Sequence, residues 1–445
     1  TPCGTLFPYT TLFRSVSIKG EPVLGVPGYT SITEIPETIE LVVMGAPAAT
    51  TPTLVESIDR RMAQRGDLRA LIVAAAGFGE VGTEEGRRYQ NELLECCRRH
   101  DMRMLGPNCV GSIDVHGNLD TTFIADIAHL PGGISFVSQS GAVGAWMLMD
   151  WRASAGGGVP FNKFLSVGNM ADVEIIEALD YVGSDPNTKA LGLYIEGARD
   201  GRSLVETAGR IAADKPVLVL KVGRTDEGAQ AAASHTGSMA GSDDVYSAAF
   251  RQYGILRMEN TDELSDSLRA FDSCPMPGGN KTFILTQAGG PGILCVDEMS
   301  SRGSFAVPQV AESTKERLRQ VLPSFASVCH PEGHADITAA ATATQHVEAL
   351  EAVLRDDEVD AVLFITVATL FLDLKGMATE MADMLDRLAG EGVRKPVMPV
   401  ILSGNWVQES RRILEQRGIP TFDTPDRAVR ALSNMVTYRA FQERQ

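Results

Sequence analysis

His235 lies in a run of small residues, Ala231-Ala232-Ala233-Ser234-His235-Thr236-Gly237-Ser238, and no large apolar residue between Thr225 and Ser238 could anchor that stretch in a core. The expected result is an exposed imidazole on a backbone free to approach another surface. Neutral imidazole attacks phosphoryl groups as well as accepting protons. Glu196 ends the run Tyr194-Ile195-Glu196-Gly197. A carboxylate there can take the Nδ1–H of an incoming histidine, fix its tautomer and leave Nε2 as the nucleophile. By residue type alone both have blander readings, since a lone histidine is more often structural and a loop glutamate more often solvated.

Three glycine-punctuated turns could hold the anion: Ser138-Gln139-Ser140-Gly141, Gly289-Gly290-Pro291-Gly292 and the segment around Gly241 and Asp243. Each follows a strand-like run and opens a helix, where free N–H groups and the helix dipole favour phosphate or carboxylate. Ser138 and Ser140 add hydroxyl donors. No Gly-x-x-x-x-Gly-Lys-Ser/Thr occurs, so none is a P-loop. Taken singly, each could be only a tight connection.

These turns need strands to carry them. Leu41–Ala46, Ala70–Ala75, Arg103–Leu105, Ile134–Val137, Phe164–Ser166, Ala190–Ile195, Val217–Leu220, Thr282–Thr286, Ala361–Ile365 and Pro399–Leu402 are short apolar runs separated by helix-length polar segments. That alternation predicts parallel sheets covered on both faces. In such sheets ligands bind at the carboxyl ends of strands. The Gly106-Pro107-Asn108-Cys109-Val110-Gly111 loop occupies one such end.

A length of 445 residues suggests about three domains. A net charge of −17 argues against a nucleic-acid partner, because phosphate backbones are bound through Lys and Arg. No apolar run approaches about 18 residues and no signal-peptide pattern occurs, so the expectation is a cytoplasmic chain with no membrane span. The seven cysteines, with Cys96 beside Cys97, lack paired metal spacing. They read as reduced core residues, and no metal site is expected.

In their order along the chain, Ser138-Gln139-Ser140-Gly141, Tyr194-Ile195-Glu196-Gly197, Ser234-His235-Thr236-Gly237 and Gly241-Ser242-Asp243 resemble the α-subunit portion of NDP-forming acyl-CoA synthetases. This is the succinyl-CoA synthetase superfamily, in its acetyl-CoA synthetase (ADP-forming) branch. The 106–111 loop is similar to the loop closing that family's CoA-binding domain, and Gly289–Gly292 to the start of its third domain. The resemblance runs from about Val16 to the C-terminus.

It implies a fold of three doubly wound α/β domains: a Rossmann-like CoA-binding domain over 16–126, a flavodoxin-like domain carrying the phosphohistidine over 127–275, and a second flavodoxin-like ligase domain over 276–445. It also implies a relay, in which acyl-CoA and phosphate give acyl phosphate and CoA, His235 takes the phosphoryl group, and ADP receives it on an ATP-grasp domain. Glu196 would orient His235. Ser138, Ser140, Gly141, Gly289 and Gly290 would bind phosphate, and Pro47, Glu80 and Asn108 would bind CoA. ATP or ADP, with Mg, would sit on a partner β-type subunit in a hetero-oligomer, or on a C-terminal domain outside this chain. The substrate would be an acyl-CoA or small carboxylic acid.

Three departures bear on this. Residues 1–15 read as a non-native leader, and the family's first strand and glycine-rich CoA turn are not found before Val16. No ATP-grasp region is visible. After Leu322-Pro323-Ser324-Phe325-Ala326-Ser327-Val328, the family's Asn-Pro-Val-Asp is replaced by Cys329-His330-Pro331-Glu332-Gly333-His334-Ala335-Asp336, a set with Pro and Gly between its ligand types and no fourth ligand for a metal. The competing expectation is a non-catalytic acyl-CoA-binding module or a degenerate copy, which would need neither Glu196 nor His235.

Overall fold

The computed structural model describes residues 13–228, 230 and 243–445. His235, Gly241 and Ser242 lie outside the described residues.

The first unit has a parallel three-stranded sheet, Leu41–Met44, Ala70–Val73 and Arg103–Leu105, in that spatial order. A two-residue strand, Ser15–Val16, pairs parallel with Gly28–Tyr29, so regular structure begins within the segment read as a leader. The helix Glu84–Arg99 covers the sheet. Thr83 caps it by accepting from the Gly86 N–H, Glu84 and Glu85 lie in its first turn, and Arg98 and Arg99 in its last, each complementing the helix dipole. Its apolar stripe buries Tyr89, Leu93, Cys96 and Cys97. Burial pushes the Cys96 thiol up to about 11 and Cys97 to about 12, which makes them core residues rather than nucleophiles.

The second unit carries a seven-stranded sheet. Its parallel strands Pro131–Ser138, Phe161–Ser166, Ala190–Ile195, Val217–Lys221 and Leu256–Arg257, numbered one to five along the chain, lie in the order 2-1-3-4-5. That is the flavodoxin-like order, and its topological switch lies between the first and third strands. Two further strands, Ser112–Asp114 and Leu119–Asp120, extend this sheet antiparallel beside Phe161–Ser166. The expectation placed them with the first unit. They join the second because Ile113 enters the core formed by Phe136, Phe161 and Phe164.

The third unit repeats the plan: His334–Asp336, Thr282–Thr286, Ala361–Val367 and Val397–Leu402 are parallel neighbours in that order, with Ser327–Val328 antiparallel at one edge. The repetition extends to the turn. Ser138 Oγ donates to the Ser140 carbonyl (2.7 Å), and Thr286 Oγ1 to the Ala288 carbonyl (2.8 Å).

Both seams between units are built in detail. The helix Pro425–Gln442 packs on Thr261–Ser273, with Tyr438 edge-on to Phe271 (5.6 Å) and Arg427 on both oxygens of Asp266 (2.6 and 3.0 Å). Between the first and second units the N–H groups of Asn169, Ala171 and Val173 donate to the carbonyls of Pro107, Gly106 and Met104 (2.8, 3.1 and 3.2 Å), and Arg103 donates to Asp172 and Glu177 (3.0 and 2.7 Å).

Candidate active site

The switch point of the second sheet falls where Ser138 and Tyr194 are paired in register, and the chain leaves those two strands in the Ser138–Gly141 turn and at Glu196. The helix Gly141–Arg152 starts there, with Ser140 Oγ accepting from the Val143 N–H (3.3 Å). Apart from that of Val143, its first-turn N–H groups have no acceptor inside the helix, the arrangement at which helix N-termini commonly meet anions. The Ser138 side chain is fully buried and its hydroxyl proton goes to the Ser140 carbonyl, so Ser138 shapes the turn from within. Gly141 has a steric requirement: a Cβ there would lie 2.4 Å from Val110 Cγ2. The 106–111 loop of the first unit therefore presses directly on the start of this helix.

Glu196 is 7% exposed. Gln139, equally buried, holds its main chain: the Gln139 side-chain oxygen accepts the N–H groups of Glu196 and Gly197, and its Nε2 donates to the Gly197 carbonyl (2.9 Å). Beside Ile195 in register is Lys221, 1% exposed. Its ammonium donates to the Val222 carbonyl and lies 5.1 Å from the Tyr246 ring centroid. Burial, with Arg257 nearby, drives its pKa below the usual lysine value, while Asp243 and Glu196 pull the other way. Among the described residues it is in no ion pair. Sequence reasoning missed Lys221. The available signal was a lysine closing the apolar run Val217–Leu220, in phase with the inward-facing Val217 and Val219.

The residues expected at the CoA edge are gathered at the carboxyl ends of the first sheet. Pro47 is exposed just past Leu41–Met44, and the positive φ of Gly77 (103°) lets the neighbouring loop come within contact of Ala48. Glu80 Oε1 accepts from the N–H groups of Gly77 and Phe78 (2.6 and 3.1 Å), and Oε2 from Asn169 Nδ2 (2.5 Å). Burial opposes ionisation of Glu80, but the Asn169 and main-chain donors prevail and hold its carboxyl below the ordinary value. Asn108 has a left-handed φ of 56° and donates to Asn169 Oδ1 (3.4 Å). Pro47 is thus exposed and Asn108 partly buried at one edge of the first sheet. Gly289 and Gly290 are exposed on a separate turn of the third sheet, with Asp336 Oδ2 3.5 Å from where a Gly289 Cβ would be.

One further cluster, Asp59, Cys96 and His100, has ligand-type atoms close together. Arg99 already donates to both Asp59 oxygens (2.9 and 3.0 Å), so a guanidinium supplies the charge a metal would bring.

Family comparisons agree with this division of labour. Residues 14–114 match the CoA binding domain, 131–271 the succinyl-CoA ligase like flavodoxin domain, and 282–439 the ligase-CoA domain. The α subunit of ADP-forming acetate–CoA ligase II from Pyrococcus furiosus is 38% identical over 413 residues, covering 92% of this chain and 86% of the relative. The chain belongs to the α-subunit family of ADP-forming acetate–CoA ligases. A family member in Archaeoglobus fulgidus, ADP-forming acetate–CoA ligase I, is 35% identical over 95% of this chain, which spans 58% of that relative. The solved dinucleotide-forming acetyl-coenzyme A synthetase 1 from Ca. Korarchaeum cryptofilum, in complex with phosphate and ADP, superposes with a TM-score of 0.84 at 30% identity, covering 96% of this chain and 89% of that one. Membership in this family places the chain among acid–thiol ligases and sets aside the non-catalytic binding module. Among the described residues no helix is long and apolar enough to cross a membrane.

Proposed function

We propose that this α-type chain converts acyl-CoA and inorganic phosphate to acyl phosphate and CoA, and then accepts the phosphoryl group on His235. The observation that carries the reading is the switch point itself, where Glu196 and the start of the Gly141–Arg152 helix follow neighbouring strands at the same sheet edge. Phosphate oxygen attacks the thioester carbonyl, the C–S bond breaks, and CoA leaves as the thiol. His235 Nε2 then attacks phosphorus, the bond from phosphorus to the acyl oxygen breaks, and the carboxylate leaves.

Glu196 accepts Nδ1–H and stabilises the imidazolium side of the phosphohistidine. The helix N-terminus at Ser140 and Gly141 holds the phosphoryl oxygens, and Lys221 contributes positive potential from below the strand ends. Pro47, Glu80 and Asn108 line the edge that CoA occupies. Gly289 and Gly290 offer a second helix N-terminus for phosphoryl oxygens from the third unit. The nucleotide and Mg belong to an ATP-grasp partner. Supporting that division, this chain spans most of an α subunit but little more than half of the Archaeoglobus relative. Acetate is the favoured acid because the named relatives act on it, and a cytoplasmic setting suits these substrates.

The test is thiol release from acetyl-CoA. It should require inorganic phosphate, and ATP should form only when ADP and a separately expressed ATP-grasp chain are added. Thiol release that ignores phosphate would refute the proposal.

A further inference from the structure

Asn169 stands between the two halves of the site. Its main chain belongs to the second unit, in the turn after Phe161–Ser166, and its N–H seals the seam to Pro107. Its side chain reaches into the first unit. Nδ2 donates to Glu80 Oε2 (2.5 Å) and Gln90 Oε1 (3.2 Å), and Oδ1 accepts from Asn108 Nδ2 (3.4 Å). Glu80 in turn gathers the Gly77 and Phe78 N–H groups, and Gln90 Oε1 takes that of Gly79. One amide thus organises the whole 77–80 loop and the tip of the 106–111 loop. The next residue faces the other way: Met170 Sδ lies 3.7 Å from Gln139 Nε2, the group that also binds the Gly197 carbonyl.

We infer that Asn169 is a positioning residue that sets the acyl-CoA edge of the first unit at a fixed distance from the phosphoryl edge around Glu196. The inference rests on the relay proposed above and names how its two substrates are brought into line. A purely architectural role is disfavoured by two observations. The seam holds without the Asn169 side chain: Arg103 donates to Asp172 and Glu177 (3.0 and 2.7 Å), and Gly168, at φ +54°, lies so close that a Cβ would be 2.2 Å from the Pro107 carbonyl oxygen. The third unit, built on the same plan, has no such side chain: Ser138 pairs with Ser166 where Thr286 pairs with Asp336, so Ala339 stands where Asn169 does. The same turn folds there without an amide.

Thioester attack requires the reacting atoms to be held within a few tenths of an ångström, and a shift of about 1 Å costs on the order of a hundredfold. The transfer from acyl phosphate to histidine needs no CoA and should not depend on the 77–80 loop. The two half-reactions therefore separate the role from general damage.

The experiment uses the full chain, wild type, Asn169→Ala and Asn169→Asp. Phosphate-dependent thiol release from acetyl-CoA is measured alongside phosphorylation of the chain by acetyl phosphate. For Asn169→Ala, kcat/KM with acetyl-CoA should fall about 10- to 100-fold, while phosphorylation by acetyl phosphate stays within about twofold. Asn169→Asp should be worse in the first assay, because it replaces a donor with a second carboxylate against Glu80, and still near wild type in the second. Equal losses in both half-reactions, or no loss in either, would overturn the positioning role. A wild-type chain that acetyl phosphate does not phosphorylate would instead overturn the relay on which the role rests.

Discussion

Gln139 grips Glu196 by the main chain: its side-chain oxygen accepts the Glu196 N–H, while its own N–H donates to the Tyr194 carbonyl (3.1 Å). Gln287 repeats this hold in the third unit, accepting from the Val367 N–H (2.8 Å). The two turns share this hold but deliver different side chains, Glu196 in one and Val367 in the other, and only the first has a serine cap, Ser140, where the second has Ala288.

Gln139→Leu keeps the volume and removes the grip. It strands the Glu196 and Gly197 N–H groups and the Gly197 carbonyl, at about 1–3 kcal/mol for each buried group. Phosphoryl transfer to the chain from acetyl phosphate, followed by rapid quench, should slow about 10- to 100-fold as Glu196 loses its fixed position. A folded variant with wild-type transfer would mean that Glu196 is held by other contacts.

Lys221→Met removes a buried ammonium and leaves a side chain of similar length. Because a buried ammonium that is in no ion pair among the described residues is costly, stability to urea should be unchanged or improved. If the charge serves the phosphoryl group, transfer should fall about 100- to 1,000-fold, the usual cost of deleting a preorganised charge or donor. Loss of stability with unchanged transfer would make Lys221 a structural residue.

How much of this could be read in the sequence depends on how local each signal is. Arg103–Leu105 and Thr282–Thr286 are strands where apolar runs predicted them. The edge holding Ser138 and Glu196 was legible because both close such runs. The helix expected to open from the Ser138–Gly141 turn takes in the last residue of that turn, Gly141. Gly141 and Gly144 lower helix propensity by about 1 kcal/mol each, but tertiary packing demands them, since a Cβ on Gly144 would lie 2.5 Å from Phe164 Cζ. Ser112–Asp114 was illegible because its partner, Phe161–Ser166, is remote in sequence and the strand is only three residues long. Lys221 and Asn169 escaped for a related reason: lysine suggests surface and asparagine suggests a turn, and only the assembled neighbours show otherwise.

Arg427 and Asp266 form one of the ion pairs between the second and third units, and Asp266 is 1% exposed. Arg427→Met should destabilise the chain by about 1–3 kcal/mol, because Asp266 loses its two hydrogen bonds and keeps only the longer contact to Arg269 (3.5 Å). Adding Asp266→Leu should recover much of that loss. Denaturant unfolding of the single and double variants checks this, and a double variant no better than the single would contradict it.

His346 is fully buried, with Nδ1 on the Thr342 carbonyl (2.8 Å). Burial lowers its pKa below 6.5, and the Thr342 bond opposes this only in part. The unfolded chain therefore takes up this proton first as pH falls. The stabilising contribution is complete above about 6.5 and is lost as pH drops below it, by at most about 1.4 kcal/mol per pH unit. His334, lowered by burial against the pull of Asp336, acts in the same direction. In His346→Gln, the slope of unfolding free energy between pH 6.5 and pH 5, about the window given by this linkage, should be shallower. An unchanged slope would show that His346 does not titrate with unfolding.

The measurement that decides the relay is intact mass after incubation with acetyl phosphate, on the wild-type chain and on His235→Ala. The expected result is a gain of one phosphoryl group on the wild type that disappears on acid treatment, with no gain on His235→Ala. An equal gain on both chains, or none on a folded wild type, would contradict phosphoryl transfer through His235.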